Sequence, residues 1–120
     1  MKYMIMMFGE VSTLWATKSP EWLAEMQNFM MRKDQELRDA GEHVDGRGLA
    51  DVSTAKTIVM QDGKAVPTDG PFAEAKESLV GYWVVDVESE DRAIEIVAEV
   101  VEFTGVPMEL RQVMEESAEM

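Results

Sequence analysis

Two helices packed on one face of a mainly antiparallel sheet make up the α+β fold that this sequence predicts. Three observations lead there. Short segments of strand character open and close the chain. Two long segments carry apolar residues at helical spacing and separate strand segments from one another. Between them lies Asp62-Gly63, a strong hairpin signal flanked by strand-like residues.

Lys2–Phe8 (KYMIMMF) is short and nearly all apolar, which reads as a strand buried on both faces and ended by Gly9. Glu10–Lys18 is polar, with Trp15 expected to fold back on the body. Ser19-Pro20-Glu21 starts a helix: serine caps, proline suits the first helical position, and glutamate favours the positive end. Trp22, Met26, Phe29, Met30, Leu37 and Ala40 then mark one face, interrupted at Lys33, and Gly41 closes the helix.

His43–Leu49 holds two glycines and reads as an edge or bulged strand. Thr54–Gln61 is a strand, and Lys64–Thr68 returns after the turn, with Pro67 confining it to an edge or an end. Asp69-Gly70-Pro71-Phe72 is a turn, and Ala73–Ser78 is expected to form one helical turn. Leu79–Val87 has the clearest strand pattern of the chain. Ser89-Glu90-Asp91 opens the second long helix, with Ala93, Ile94, Val97, Val100 and Val101 as its apolar face and Thr104-Gly105 as its end. Met108–Met114 alternates as a last strand, and Glu115–Met120 is expected to fray.

The order β-α-β-β-β-β-α-β in one unit matches the ferredoxin-like plan. Strands separated by a helix are expected to pair in parallel, and the hairpin to supply antiparallel pairing. Met4, Met6 and Phe8 share one face of the first strand, and Tyr3, Ile5 and Met7 share the other. Two helices cover only one face, so sheet-against-sheet packing in a homodimer is expected.

The chain has 120 residues, enough for one domain with its own core. Apolar residues make up 46% and charged residues 29%, a globular balance. There are 24 acidic and 11 basic residues, a net charge of −13 that opposes phosphate backbones and anionic membranes. No apolar run is long enough to span a membrane and no signal-peptide pattern is visible, so a cytoplasmic address is expected. Without cysteine there is no disulfide, zinc–thiolate site or thiol nucleophile. No metal or cofactor is expected: one histidine with scattered carboxylates lacks ligand spacing, and no Gly-rich dinucleotide fingerprint is present. The 11 methionines are scattered and suit core and interface filling.

Val66–Tyr82, VPTDGPFAEAKESLVGY, is the most specific segment. Thr68-Asp69-Gly70-Pro71-Phe72-Ala73-Glu74, Lys76-Glu77 and Gly81-Tyr82 resemble the signature of the DGPF group of the YCII-related domain family. Lys2-Tyr3-Met4, Gly9 and Gly46…Gly48-Leu49 agree with it. The resemblance implies a dimeric ferredoxin-like domain with a pocket beside the sheet. It also implies enzymatic work through a His/Asp pair whose histidine lies early in the first helix, and an association with extracytoplasmic-function sigma factors. Here Glu21–Asn28 contains no histidine, and the sole histidine, His43, follows that helix.

Six residues are candidates for a site. Asp69 either fixes its own turn or works with Glu74 as an acid/base pair, with Lys76 as a nearby ammonium that binds ligand. Tyr82 and Trp83 point to opposite faces; Trp83 suits the helix-side core, and Tyr82 either packs or lines a pocket with Asp69. Arg47, between two glycines, either clamps a carboxylate ligand or is a solvated loop charge. His43 either caps the helix exit or titrates in a site beside Glu42 and Asp45. Two functional readings follow. One is a dimeric domain that binds a small polar ligand, with acid/base carboxylates that would make it an enzyme of low activity. The other is a non-catalytic dimeric accessory protein linked to a sigma factor.

Overall fold

A computed structural model describes residues 1–70 and 78–115. The Pro71–Phe72 half of the expected turn, the expected helical turn from Ala73, and the chain beyond Glu115 lie outside the described residues. So do Glu74 and Lys76.

Strand β1 (Lys2–Gly9) leads through a one-turn helix α1 (Val11–Leu14) to the long helix α2 (Pro20–Asp39). Strand β2 (His43–Gly48) follows, then a 3₁₀ turn at Val52–Thr54 and the strands β3 (Lys56–Gln61) and β4 (Lys64–Asp69). Strand β5 (Ser78–Asp86), helix α3 (Glu90–Thr104) and strand β6 (Met108–Gln112) complete the order. The Ser19 hydroxyl accepts from the Trp22 amide with Pro20 in the first turn, and the Ser89 hydroxyl accepts from the Arg92 amide. Both helices therefore begin where their caps are written.

The main sheet has the order β2-β5-β1-β6, and every neighbouring pair in it is antiparallel. This corrects the expectation of parallel pairing. Each helical crossover skips one strand, so β1 and β2 run parallel with β5 between them, and β5 and β6 run parallel with β1 between them. The result is the ferredoxin-like α+β arrangement, with β3 and β4 forming a separate two-stranded sheet.

The core lies between the main sheet and the helices. Tyr3, Ile5 and Met7 of β1 meet Trp83 and Val85 of β5, Leu37 of α2, and Ala93, Ile96 and Val100 of α3. The face of α3 differs from the expected one: Ile96 is buried and Ile94 is half exposed. Ala93, Ile96, Val100 and Thr104 follow the three- and four-residue steps of one stripe, and Ile94 lies about 100° off Ala93. Lys33 does not interrupt the α2 face; it is buried on it, with its ammonium held by Glu99 of α3 and Glu36 of α2. Burial pulls the Lys33 ammonium down, but the hydrogen bonds and charges of Glu99 and Glu36 outweigh it and leave the group above its ordinary value. Trp15 does fold back: it packs on Trp22 (ring centroids 5.3 Å apart), which stacks on Phe103, which stacks on Phe29.

The other face of the main sheet carries Met4, Met6 and Phe8 of β1 with Tyr82 and Val84 of β5. No described helix covers it. Both neighbours of Met4 and Met6 on β6, Arg111 and Glu109, are charged.

Candidate functional site

The sheet face that no described helix covers brings together a polar group from β2 and β5. Arg47 pairs with Tyr82, and Asp45 with Val84, across these strands. An irregularity between His43 and Asp45 sets their sidedness: His43 stands opposite Val85, on the helix side, while Asp45 stands opposite Val84, on the uncovered side. The Tyr82 hydroxyl donates to Asp45 Oδ2 at 3.0 Å, and Arg47 Nη1 lies 3.6 Å from Asp45 Oδ1. Arg47 Nη1 also donates to the Gly46 carbonyl at 2.9 Å.

Gly46 is required here by space. A Cβ at that position would stand 2.3 Å from Trp83 Cδ1, so only a glycine lets β2 approach the indole. That approach sets Arg47 opposite Tyr82 and Asp45 opposite Val84.

The electrostatics favour fixed charge states. The Tyr82 hydrogen bond and the Gly46 amide hold the Asp45 carboxyl below its ordinary value, with Arg47 adding to the effect against desolvation. The same bond to Asp45, with burial, raises the Tyr82 phenol. Near neutral pH the site therefore presents a carboxylate, a protonated phenol and a guanidinium. A weakly basic carboxylate and a weakly acidic phenol are poorly matched to proton transfer at pH 7. An exposed guanidinium whose partners among the described residues are only Asp45 and the Gly46 carbonyl is well matched to a carboxylate-bearing ligand.

The remaining sequence candidates stand elsewhere. Asp69 ends β4, its side chain is 92% exposed, and it pairs with the Lys56 ammonium across the hairpin. It is not among the groups bonded to Tyr82 or Arg47. His43 lies under α2 with its side chain 8% exposed; its Nε2 is 3.1 Å from Asp34 Oδ1 and 3.4 Å from Arg38 Nη2. Arg38 donates to Asp34 at 2.8 Å and is the main reason the Asp34 carboxyl sits below its ordinary value. His43 thus has an aspartate partner, but on the face opposite Tyr82. Glu74 and Lys76 lie outside the described residues. Among the described residues no group of three or more histidine or carboxylate side chains converges to hold a metal ion.

Two features escape a reading of the sequence. Asp45 is the centre of the site, yet the sequence marks it only as a neighbour of His43; the glycines of His43–Leu49 point to an edge or bulged strand, but neither the place of the irregularity nor the pairing with β5 can be read from them. The second is an open groove of about 440 Å³, lined by Phe8, Leu14, Gly105, Val106, Pro107, Met108 and Glu109 at the other edge of the sheet. None of Asp69, Tyr82, Arg47 and His43 lines it.

The chain is similar to an uncharacterised protein of Rhizobium meliloti (strain 1021), with 29% identity over 97 residues that cover 79% of this chain and 76% of the relative. The family model described as the YCII-related domain matches residues 1–116, nearly the whole of the sheet-and-helix unit, and on that match the chain belongs to the YCII-related domain family.

Proposed function

We propose that this protein is a dimeric binding domain that holds a small carboxylate-bearing ligand between the uncovered sheet faces of two copies, with Arg47, Tyr82 and Asp45 as the contact group. The observation that carries this reading is the hydrogen-bonded Asp45–Tyr82 pair beside the exposed Arg47 guanidinium, on a sheet face that no described helix covers and that also holds Met4, Met6 and Val84. Arg47 clamps the ligand carboxylate, Tyr82 and Asp45 orient its polar groups, and Met4, Met6 and Val84 supply an apolar floor. Packing two such faces together removes the apolar stripe from water and excludes solvent from the charged contacts, which strengthens them.

A thermal-shift screen of small mono- and dicarboxylates tests the reading. A ligand at ten times its Kd adds about 1.4 kcal/mol, a rise of roughly 5 °C for a domain of this size. Arg47→Gln and Tyr82→Phe are expected to abolish that rise. The ligand-free Tm is expected to stay within about 2 °C for the exposed Arg47 and to fall by roughly 4 °C for Tyr82→Phe, which loses a part-buried hydrogen bond. A rise that persists unchanged in both variants places the ligand elsewhere and rejects the site.

The alternative is a non-catalytic dimeric accessory protein for an extracytoplasmic-function sigma factor. The charge states of Asp45 and Tyr82, poorly matched to proton transfer, favour it over an enzyme that uses this pair. Co-purification with a sigma factor, together with no response to any carboxylate, would establish it.

A further inference from the structure

The β3–β4 hairpin is a two-stranded sheet with no strand-to-strand pairing to the main sheet. An isolated hairpin is at best marginally stable in water. This one is fixed at its tip by the Asp62-Gly63 turn, where both residues adopt positive φ (51° and 78°), and at its base by side-chain bonds. Thr57 Oγ1 donates to the Gly70 carbonyl at 2.8 Å, Thr68 Oγ1 donates to the Thr57 carbonyl at 2.9 Å, and Lys56 pairs with Asp69. One face of the hairpin is apolar and open. Ile58 stands opposite Pro67 and Met60 opposite Ala65, and Ile58 is 60% and Met60 71% exposed.

We propose that the hairpin is an arm that lays its Ile58–Met60 face over the apolar groove at the β6 edge of a second copy of this chain. The proposal rests on the sheet-to-sheet dimer above.

The charge balance permits a second copy as the occupant, and the topology matches one. Lys56–Asp69 contains two lysines and two aspartates and is neutral, so the net charge of −13 lies entirely on the rest of the chain. Two acidic bodies repel one another, and this neutral apolar arm approaches an acidic body without that cost. Topology supplies the match. The hairpin leaves the main sheet where β2 ends and β5 begins, at the β2 edge. The groove lies at the opposite edge but at the same end of the strands, where β1 ends at Phe8 and β6 begins at Met108. Two sheets stacked about a two-fold axis along the strands set the β2 edge of each copy over the β6 edge of the other, with the same strand ends together. Each arm then reaches the partner's groove, and the contact is made twice, as an isologous dimer requires. The groove offers Phe8, Leu14, Val106, Pro107 and Met108 to the Ile58 and Met60 side chains.

The test measures dimerisation by sedimentation equilibrium for the wild type, for Ile58→Glu/Met60→Glu, and for Val84→Glu on the sheet face, with circular dichroism to confirm folding. The cysteine-free chain also permits a crosslink: Met60→Cys/Val106→Cys places one thiol on the arm and one in the groove. The expected result is at least tenfold weaker dimerisation of the folded arm variant. A disulfide-linked dimer is expected from the double-cysteine protein but not from either single variant. If the arm variant dimerises as tightly as the wild type while Val84→Glu weakens it, the sheet-face dimer stands and the arm is rejected. A double-cysteine protein that gives no linked dimer also rejects the arm. A wild type that stays monomeric at about 100 µM, well above a micromolar Kd, rejects both.

Discussion

Gly46 separates Asp45 from Arg47, and the volume a side chain would need is already filled by the Trp83 indole. Gly46→Ala is therefore expected to cost about 1–3 kcal/mol, the range for overpacking a filled site. Gly48, two residues on, has open space where a Cβ would stand, with no atom within 4 Å, so Gly48→Ala is expected to stay within about 0.5 kcal/mol. Urea denaturation of the two variants checks the contrast, and equal losses would show that backbone freedom, not the indole, requires the glycine. The chemistry of the site also turns on single atoms. Asp45 is legible in the sequence only as a carboxylate near His43: two glycines announce an edge or bulged strand, but the position of the irregularity, which decides the face Asp45 takes, is not written there.

At the scale of elements, the two helices are joined to each other and to β2 by ion pairs in which one partner, Lys33 or Glu42, is largely buried. Lys33 of α2 bonds Glu99 of α3, and Arg92 of α3 grips Glu42, just before β2, through two bonds of 2.8 and 2.9 Å. Replacing Lys33 by Met removes an ammonium from apolar surroundings and leaves its two glutamates half exposed, so Lys33→Met is expected to be neutral or stabilising by about 1 kcal/mol. Arg92 holds the Glu42 carboxyl below its ordinary value, and Arg38 does the same for Asp34. A carboxyl depressed in the folded state binds its proton more readily in the unfolded chain. Its contribution is therefore complete above the unfolded value of about 4 and is lost as pH falls through the lower folded value. Stability is expected to hold from pH 7 to about 5 and to decline below 4. In Glu42→Gln the acid decline is expected to be shallower, measured by urea midpoints from pH 3 to 7. The Ser89 cap is a cleaner element-scale test: Ser89→Ala is expected to cost about 1 kcal/mol.

For the whole molecule, the sheet has one face under two helices and one face without a described layer. Self-repulsion at a net charge of −13 opposes any pairing of two copies. Dimerisation through the apolar face is therefore expected to tighten as salt rises from about 0.01 to 0.15 M, as screening shortens from roughly 30 to 8 Å. Sedimentation at several salt concentrations measures it, and weaker association in salt would mean that ion pairs, not apolar contact, join the copies. The extents of 50 × 44 × 19 Å show a flat molecule, two layers thick.

The sequence by itself determined the six strands, the two long helices and their order, both helix caps, the Asp-Gly turn and the opposite facing of Tyr82 and Trp83. These rest on local physics: capping, turn conformation and the alternation of a strand are settled within a few residues. Only the tertiary structure decided which strands are neighbours, that Ile96 rather than Ile94 fills the core, and that Lys33 belongs to the buried face because Glu99 arrives from another helix. It alone brought Asp45 and Arg47 to Tyr82, held His43 on the far side with Asp34, and left Asp69 at the end of a separate hairpin. Strand order, register and sidedness are set by contacts between residues tens of positions apart, and no local pattern carries that information.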